Sequence, residues 1–263
     1  MSYNIERGLH SREHILEEGR LQAAQRAVQR IRPDILAITE ACYGGPNSHG
    51  ITMDYGKIFG FTYSKFAGYS NFGPRKGDEG GNFLLSRLPM QAEAIRLAYK
   101  SSVRGIIEIN NKHLMIDVVH PSHSVADEEK ILTLNPLLST RQEPYLITGD
   151  FNTVNPEDNH NWRLIAEELA ISNPERAEWL VKNWRQPKLV PWLIKMGLVD
   201  AFPVDNREST VPTQYAHPGS KAGVRMDFFF VSRDIKVNRA YVLKDKDTQI
   251  ASDHYPIVAV IEI

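Results

Sequence analysis

Cysteine is nearly missing from the sequence, and this excludes two structural classes. Cys42 is the single cysteine among 263 residues, so neither a framework of intrachain disulfides nor a zinc site built from cysteines can form. We interpret Cys42 as a small hydrophobic residue rather than a nucleophile. One thiol is compatible with a reducing cytoplasm, and residues 1–8 lack the basic region and apolar run of a secretory signal. We therefore expect a cytoplasmic protein.

Long apolar runs and an excess of one charge are also missing. No stretch is long and apolar enough to predict a transmembrane segment. The sequence has 31 Lys and Arg against 32 Asp and Glu, so it lacks the global basic field that dominates non-specific nucleic-acid binding, although a local basic rim stays compatible. There is no fixed-period repeat and no low-complexity segment. A hydrophobic content of 42% over this length predicts one large domain, residues 1–263, with two small domains as the upper bound.

Segments of strand and helix character alternate along the chain. Helical spacing of apolar residues predicts an amphipathic helix over 11–31, and two apolar runs around Asn110-Asn111 predict a β-hairpin over 103–119. Strands are further predicted at 35–38, 82–86, 145–148, 226–231 and 256–263, with turn-rich or Gly-rich loops at 44–50 and 64–82 and a helix at 125–139. Many strands with helices outside them predict an α/β sandwich.

The segment Gly149-Asp150-Phe151-Asn152 ends an apolar run and carries the clearest chemical signal. On extended backbone the side chains of Asp150 and Asn152 leave on the same side. A carboxylate and a carboxamide held together can take a proton from a water molecule and orient that molecule. This pattern predicts hydrolytic chemistry.

Other polar residues stand at or beside the ends of apolar strands. Each alone is more typical of a turn or a satisfied core residue than of a catalyst, and only their combination indicates a site. The set is Asn4, Glu40, His120, Asp150 with Asn152, Asp227, and Asp253 with His254.

Taken in order, these segments resemble the endonuclease/exonuclease/phosphatase superfamily, which includes pancreatic-type deoxyribonuclease, abasic-site endonucleases, sphingomyelinases and inositol-polyphosphate 5-phosphatases. The resemblance spans residues 3–261. The matching segments are Tyr3-Asn4-Ile5, 34–40, 81–87, 103–105, 118–120, 149–152, 225–232 and 252–254. It implies a four-layer αββα sandwich, two mixed β-sheets flanked by helices, with a site at one end of the sheets. It also implies Mg²⁺-dependent hydrolysis of a phosphate ester by in-line attack of water.

The resemblance implies a metal site made of carboxylates. Glu40 is expected to be the principal ligand of Mg²⁺, a hard cation that prefers oxygen donors, with Mn²⁺ as a substitute. Asp253 is expected to approach the metal directly or through water. Glu6 lies on the same strand face as Asn4 and is a further candidate ligand, although a solvated charge explains it equally well.

The resemblance also implies roles around the phosphate. Asp150 is expected to orient or deprotonate the attacking water, Asn152 to hold the phosphate, and Asn4 to lie in the phosphate–metal shell. His254 is expected to donate to a non-bridging oxygen, while Asp227 holds its imidazole and favours the charged form.

Three further residues are candidates at the edge of the site. His120 resembles a second histidine near the scissile phosphate, and it is preferred over His123 because it directly ends an apolar run. Arg104 matches a position that contacts phosphate or supports the site, with an ordinary surface arginine as the alternative. Asn82 is a candidate for the substrate-binding rim, with capping of a Gly-rich turn as the alternative.

The chain departs from the family pattern at two places. The first strand begins almost at residue 1, which predicts either a natural start upstream or a short strand. Residues 155–197 form a long helical insertion that holds all four tryptophans, with Asn173-Pro174 as a predicted helix start. A small satellite core is the favoured interpretation of this insertion. A lid or substrate wall is the alternative, with Lys182, Arg185 and Lys188 facing an anionic ligand.

The substrate stays open between two classes of phosphate ester. A nuclease is favoured because His120 with His254 resembles the deoxyribonuclease arrangement, and it predicts an open groove with a basic track. A phosphatase for small molecules, lipid headgroups or inositol phosphates predicts a confined pocket walled by 64–82 and 155–197. A non-catalytic binding protein on the same fold is a remote third possibility, because every core catalytic residue type is present.

Overall fold

The computed structural model describes residues 1–13, 15–41, 53–69, 80–98, 100–171 and 173–263. Cys42, the predicted turn at 44–50 and the loop residues Arg75 and Lys76 lie outside the described residues. Within the described ranges, no helix combines the length and the apolar character needed to cross a membrane.

The described residues form twelve strands and seven α-helices. The strands are β1 (Ser2–Asn4), β2 (Ile35–Ala41), β3 (Tyr63–Gly68), β4 (Gly81–Ser86), β5 (Met90–Arg96), β6 (Ser101–Ile109), β7 (Lys112–Val119), β8 (Tyr145–Asp150), β9 (Val199–Asp200), β10 (Asp227–Val231), β11 (Lys236–Val242) and β12 (Ile257–Glu262). The helices are α1 (Glu18–Ile31), α2 (Tyr55–Phe59), α3 (Asp127–Ser139), α4 (Trp162–Ala170), α5 (Pro174–Trp184), α6 (Leu189–Lys195) and α7 (Thr248–Ala251).

The strands build two mixed six-stranded sheets. The first has the order β11-β12-β1-β2-β4-β3, and the second has the order β5-β6-β7-β8-β10-β9. One apolar cluster packs α1 and α2 against the first sheet, a second lies between the sheets, and a third packs α3 and α6 against the second sheet. The predicted four-layer αββα sandwich is confirmed, because three apolar interfaces require four layers.

Local sequence signals predict where the β6–β7 hairpin turns and where α5 begins. The hairpin β6–β7 turns at Asn110 and Asn111, whose φ values of 52° and 62° suit the left-handed turn that joins twisted antiparallel strands. Asn173 is the N-cap of α5, since its side chain accepts a hydrogen bond from the backbone N–H of Arg176. Both predictions are confirmed.

Two predicted elements differ in the structure. The helix predicted over 11–31 begins at Glu18, because His10 and Leu16 form an isolated β-bridge that holds the preceding residues in a loop. The Gly-rich loop predicted at 64–82 is a strand over Tyr63–Gly68, which pairs with β4 along its whole length. Strands β5 and β11 were not predicted, because their exposed faces interrupt the apolar pattern.

Candidate active site

Strand pairing brings the candidate residues to one end of both sheets. In the first sheet β1 runs parallel to β2 with Asn4 opposite Thr39, so Glu40 follows directly beside Asn4. In the second sheet β7 runs parallel to β8 up to Val119, so His120 and Asp150 follow at the same edge. Parallel strands end together, and the site therefore forms where two pairs of strand ends meet.

The antiparallel strand β10 adds its first residue to the same edge, since Asp227 lies opposite Asp150. The position of Asp150 also depends on the preceding residue, Gly149, whose φ is 137°. A Cβ atom on Gly149 would lie 1.9 Å from the carbonyl oxygen of Val119. Only glycine allows β7 and β8 to approach this closely, and their approach sets the position of Asp150.

Glu40 lies at an irregularity of strand β2. The register between β2 and β4 shifts between Ile38 and Ala41, and Glu40 has a φ of 52°. Such bulges re-aim one side chain out of the alternating strand pattern. Here the bulge directs the Glu40 carboxylate toward Asn4, whose Nδ2 donates to Glu40 Oε1 at 3.2 Å.

Asp150 is the centre of the site and is almost fully buried. Its Oδ2 accepts from Asn4 Nδ2 at 3.1 Å and lies 3.4 Å from His120 Nε2 and 3.6 Å from His254 Nε2. Its Oδ1 accepts from the backbone N–H of Asn152 at 2.8 Å. Burial acts to raise the pKa of Asp150, but the charge of His254 and the hydrogen bond to His120 outweigh it. The pKa is therefore well below its ordinary value, and the group is a carboxylate at neutral pH.

His254 forms a tight pair with Asp227. The distance between His254 Nδ1 and Asp227 Oδ2 is 2.7 Å, and both side chains are buried. Burial lowers the pKa of His254, but the charges of Asp227, Asp253 and Asp150 together raise it well above its ordinary value. This direction favours the charged imidazolium, with Nδ1 beside Asp227 and Nε2 3.6 Å from Asp150 Oδ2.

Three more carboxylates contribute to a local excess of negative charge. Burial raises the pKa of Asp253 to about 7, and the nearby Glu40 and Glu6 raise it as well, although His254 acts to lower it. Glu6 also lies 3.4 Å from the buried guanidinium of Arg20. One oxygen or nitrogen each from Glu40, His120 and Asp150 lies within 4.8 Å of the others. Two of these three donor atoms are carboxylate oxygens, which fit a hard divalent cation. Asp253 and Glu6, the other two expected metal ligands, are not part of this group.

Tyr69 belongs to the site and was missed by the sequence analysis. Its hydroxyl donates to Asn82 Oδ1 at 2.7 Å and lies 2.9 Å from His120 Nδ1. Asn82 is oriented by its own donation to the carbonyl of Ser101 at 2.8 Å, so its oxygen must face Tyr69 as an acceptor. The single hydroxyl proton of Tyr69 is used in the bond to Asn82. The Tyr69 oxygen therefore accepts from His120, whose Nδ1 must carry the proton of that bond. No motif marks Tyr69, because it follows strand β3 in a segment whose sequence is typical of a loop.

Asn82 therefore lies behind Tyr69 rather than on the substrate-binding rim that was expected, and the Gly-rich turn that it was alternatively expected to cap lies largely outside the described residues. Asn82 is fully buried and supports Tyr69 from behind. Lys100 is a second residue that the sequence did not indicate. Its ammonium lies 4.9 Å from the centre of the Tyr69 ring, and burial lowers its pKa to about 8 against the opposing effect of Glu40 and Asp150.

Arg104 is not brought to the site. Its guanidinium donates to both oxygens of Asp117, at 2.9 and 2.7 Å, and to the carbonyl of Leu137 at 2.8 Å. Asp117 pairs in register with Ile147, three residues before Asp150, which is about 10 Å along the strand. Both expectations for Arg104 are corrected, because it is neither a phosphate contact nor a surface residue but a buried partner of Asp117.

The 155–197 insertion forms one wall of a cavity beside the site. The cavity has a volume of about 360 Å³ and reaches Asp253, His254 and Asn152. Its wall includes Arg176 of α5, which donates to the carbonyl of His123 at 2.7 Å. The side chain of His123 lines the cavity, whereas His120 approaches the carboxylates.

The insertion also contains a satellite core, although it does not unite the tryptophans. Trp162 and Trp184 belong to a small apolar cluster with α4 and α5, while Trp192 packs on the core of the second sheet. The three cations expected to face a ligand do not line the cavity. Lys182 and Arg185 are exposed, and Lys188 pairs with Glu128.

Comparisons with known proteins agree with this geometry. A model of the Endonuclease/Exonuclease/phosphatase family matches residues 1–254, and no curated protein matches the sequence. A family protein from Leptotrichia buccalis has a similar structure with a TM-score of 0.66, 16% identity and coverage of 100% of this chain and 98% of that chain. A mannosyl-6-phosphatase from Bacteroides thetaiotaomicron and a 3′ phosphatase from Neisseria bound to product DNA hairpin each show a TM-score of 0.64, 16% identity and the same two coverages. At these identities the three structures show a shared fold.

Proposed function

The chain belongs to the Endonuclease/Exonuclease/phosphatase family of hydrolases, and from this premise we propose that it is a Mg²⁺-dependent enzyme that hydrolyses compact phosphate esters by in-line attack of water. One observation carries the chemical part of the proposal. The buried carboxylate of Asp150 lies within 3.6 Å of two imidazole nitrogens, from His120 and His254. A carboxylate for water and two imidazole groups for phosphate thus face one another.

The metal part of the proposal depends on the acidic residues. Glu40 would hold Mg²⁺, with Asp253 and Glu6 beside it, because their carboxylates repel one another in the absence of a cation. When bound, Mg²⁺ neutralises the charge that develops on the phosphoryl oxygens. Asn4 bridges the Glu40 and Asp150 carboxylates by donating to both.

Asp150 is proposed to orient the attacking water. Its low pKa keeps it ionised at neutral pH, so it is always able to accept a hydrogen bond from water. The same low pKa makes it a weak base, so the proton is transferred late, when the water has become acidic through bonding to phosphorus. The backbone N–H of Asn152 and the Nδ2 of Asn4 hold the carboxylate in one orientation.

His254 and His120 are proposed to stabilise the phosphoryl oxygens. His254 is held in its charged form by Asp227, so its Nε2–H can donate to a non-bridging oxygen in an environment shielded from water. Tyr69 fixes the ring of His120 and directs its Nε2 toward the same space. Asn152 lines the cavity next to His254 and is proposed to contact the phosphate.

The cavity supports a compact substrate over a nucleic-acid strand. A phosphatase for small molecules predicts a confined pocket walled by 64–82 and 155–197, whereas a nuclease predicts an open groove with a basic track. Helices α4 and α5 supply the second of these walls, while residues 70–79 of the first lie outside the described residues. Relatives on this fold include both a mannosyl-6-phosphatase and a 3′ phosphatase bound to DNA, so the fold alone does not select a substrate.

A substrate screen in Mg²⁺ tests this proposal. It compares plasmid DNA, RNA, a chromogenic phosphodiester, phosphomonoesters, inositol phosphates and sphingomyelin. Asp150→Asn and His254→Ala are expected to lower kcat by about 10²–10⁴-fold each, while the exposed control Lys182→Ala is expected to match wild type. Near-wild-type rates in both site variants would refute the chemistry. Faster turnover of DNA or RNA than of every small ester would refute the compact substrate.

A further inference from the structure

The cavity beside the site has an apolar half and a catalytic half. Asn152, Asp253 and His254 line one side. The other side is made by apolar side chains from α4, from α5 and from the segment that leads into β10. These residues are Ile165, Leu169, Leu180, Trp184, Val224 and Met226. A ligand whose phosphate lies at His254 therefore places its organic part against hydrocarbon.

The apolar half is held in place by contacts of its own. The carboxylate of Glu168 on α4 accepts from the backbone N–H of Lys221 at 2.9 Å and of Ala222 at 3.2 Å. Behind the surface, Ile165, Trp184 and Met226 pack in one buried cluster. The wall is therefore formed before a ligand arrives, and little conformational entropy is lost on binding.

Five polar residues line the cavity away from the site: His123, Glu168, Arg176, His217 and Ser220. The side chains of Glu168, Arg176 and Ser220 are bonded within the protein. Glu168 is bonded to the 220–222 turn. Arg176 donates to the carbonyl of His123 and lies with its guanidinium 4.5 Å from the centre of the Trp179 ring. A sugar or nucleoside in this half would press hydroxyl or amide groups against Ile165 and Leu169, and burying them unpaired is unfavourable.

We propose that this cavity binds an apolar organic group esterified to the phosphate, so that the preferred substrates are phosphate esters of alkyl or aromatic alcohols. The placement of the phosphate at His254 rests on the proposed function. The volume of about 360 Å³ is within the range of pockets that bind small organic ligands. The specificity-determining residues are Leu169, Leu180 and Trp184.

Binding of alkyl phosphates tests the apolar half without turnover. Methyl, propyl and hexyl phosphate are titrated calorimetrically, in the presence of Mg²⁺, into the full-length Asp150→Asn variant. Each methylene that enters the cavity is expected to tighten binding about fourfold, which corresponds to ~0.8 kcal/mol. Hexyl phosphate is then expected to bind roughly 60-fold more tightly than propyl phosphate on the same basis. Equal affinities for the three ligands would overturn the proposal.

Substitutions in the same Asp150→Asn background test whether the chain-length preference arises in this cavity. Leu169→Asn places an amide in the apolar wall, and Ala216→Phe fills the cavity from its half-exposed rim without removing a core side chain. Both are expected to reduce the hexyl-to-propyl ratio at least tenfold. Ile171→Asn, two residues after Leu169 and 85% exposed, is the matched control and is expected to keep the ratio. A ratio that is unchanged in Ala216→Phe would overturn the assignment of the cavity, even where Leu169→Asn fails to fold.

Turnover separates this proposal from the proposed function. Wild-type enzyme is assayed on 4-nitrophenyl phosphodiesters with a methyl, propyl or hexyl group, since these share one leaving group. Hydrolysis that rises with chain length supports both proposals. A chain-length preference in binding together with no Mg²⁺-dependent hydrolysis in the whole screen rejects the proposed function and keeps the cavity assignment. Hydrolysis with no preference in either experiment rejects the cavity assignment alone.

Discussion

Asp127 connects three parts of the molecule, and its removal provides the sharpest test of how the site is supported. It lies in the first turn of α3. Its Oδ2 accepts from Thr153 Oγ1 at 2.8 Å and from the backbone N–H groups of Lys188 and Leu189 at 2.8 and 3.0 Å. Its Oδ1 accepts from Lys130 Nζ at 3.1 Å. One carboxylate thus joins α3, the segment that follows Asp150, and the start of α6.

The Asp127→Ala substitution removes four hydrogen bonds to a charged acceptor. Each such bond is worth about 1.5–3 kcal/mol, although bonds to one group are not additive. Lys130, whose side chain is 5% exposed, would lose its carboxylate and keep the carbonyl of Asn152, to which it also donates at 2.6 Å. We expect the free energy of unfolding to fall by about 3–4 kcal/mol, because a buried cation is left without its counter-ion.

The pH dependence of this loss has a defined sign. Burial acts to raise the pKa of Asp127, but the ammonium of Lys130 and the N–H groups of Leu189 and Lys188 outweigh it, so the folded-state pKa lies below the ordinary value. A carboxyl group with a lowered pKa stabilises the folded protein fully above its unfolded-state pKa of about 3.9, and this contribution is lost as the pH falls through the folded-state pKa. The difference between wild type and Asp127→Ala is therefore expected to be full at neutral pH and to shrink below about pH 4.

Urea unfolding followed by tryptophan fluorescence measures both quantities. Glu128→Ala is the matched control, because Glu128 is the next residue of α3 and forms an ion pair with Lys188 in which both side chains are more than half exposed. Exposed pairs of this kind contribute about 0–1 kcal/mol, so this variant is expected to stay close to wild type. Equal effects of the two substitutions, or an Asp127→Ala effect that does not change between neutral and acid pH, would refute the reasoning.

Three further predictions concern the site and its surroundings. Tyr69→Phe removes the hydroxyl that holds His120 and is expected to lower kcat about 10–100-fold, with unchanged circular dichroism; an unchanged kcat would contradict the role of Tyr69. Arg104→Met leaves Asp117 buried without its cation and is expected to lower the free energy of unfolding by about 3–5 kcal/mol. The kcat/KM per folded molecule is expected to stay near wild type. A selective loss of kcat/KM would show that Arg104 supports the site. Mg²⁺ at a hundred times its Kd is expected to stabilise wild type by about 2.7 kcal/mol in thermal unfolding. Glu40→Gln is expected to need a far higher Mg²⁺ concentration for the same stabilisation. Identical titrations of the two proteins would show that Glu40 is not a ligand of the proposed metal.

The fold could be predicted where strands are buried on both faces. Residues 35–38, 145–147 and 228–231 are continuous apolar runs, because the first and second sheets each have a layer on either side. Strands β5 and β11 lie at the outer positions of their sheets, where many side chains face water. Their sequences therefore lack an apolar run, and their pairing is decided by neighbours that are distant in the chain.

The position of Arg104 shows why the sequence alone does not predict the surroundings of a single side chain. A strand arginine next to a valine gives no sign of whether its side chain faces a site, solvent or a helix. Its partner Asp117 lies thirteen residues away on β7, and the pair is covered by α3 through the carbonyl of Leu137. Only the packing of α3 on the second sheet decides that this guanidinium is buried in a structural ion pair.

The strand-end residues and the apolar wall of the cavity are positioned by different physical causes. This explains why the chemistry was easier to predict than the substrate. Asn4, Glu40, His120 and Asp150 sit where strands end. Strand register brings each pair of parallel neighbours to one edge, and the packing of the two sheets brings the two edges together. The wall that faces them comes from α4 and α5, which contact the chain near Met226 through side-chain packing. Packing of this kind has no period in the sequence, and any apolar residues of similar volume would satisfy the cluster. The strand-end residues therefore indicate the proposed chemistry, whereas the proposed substrate preference depends on the packing of an insertion.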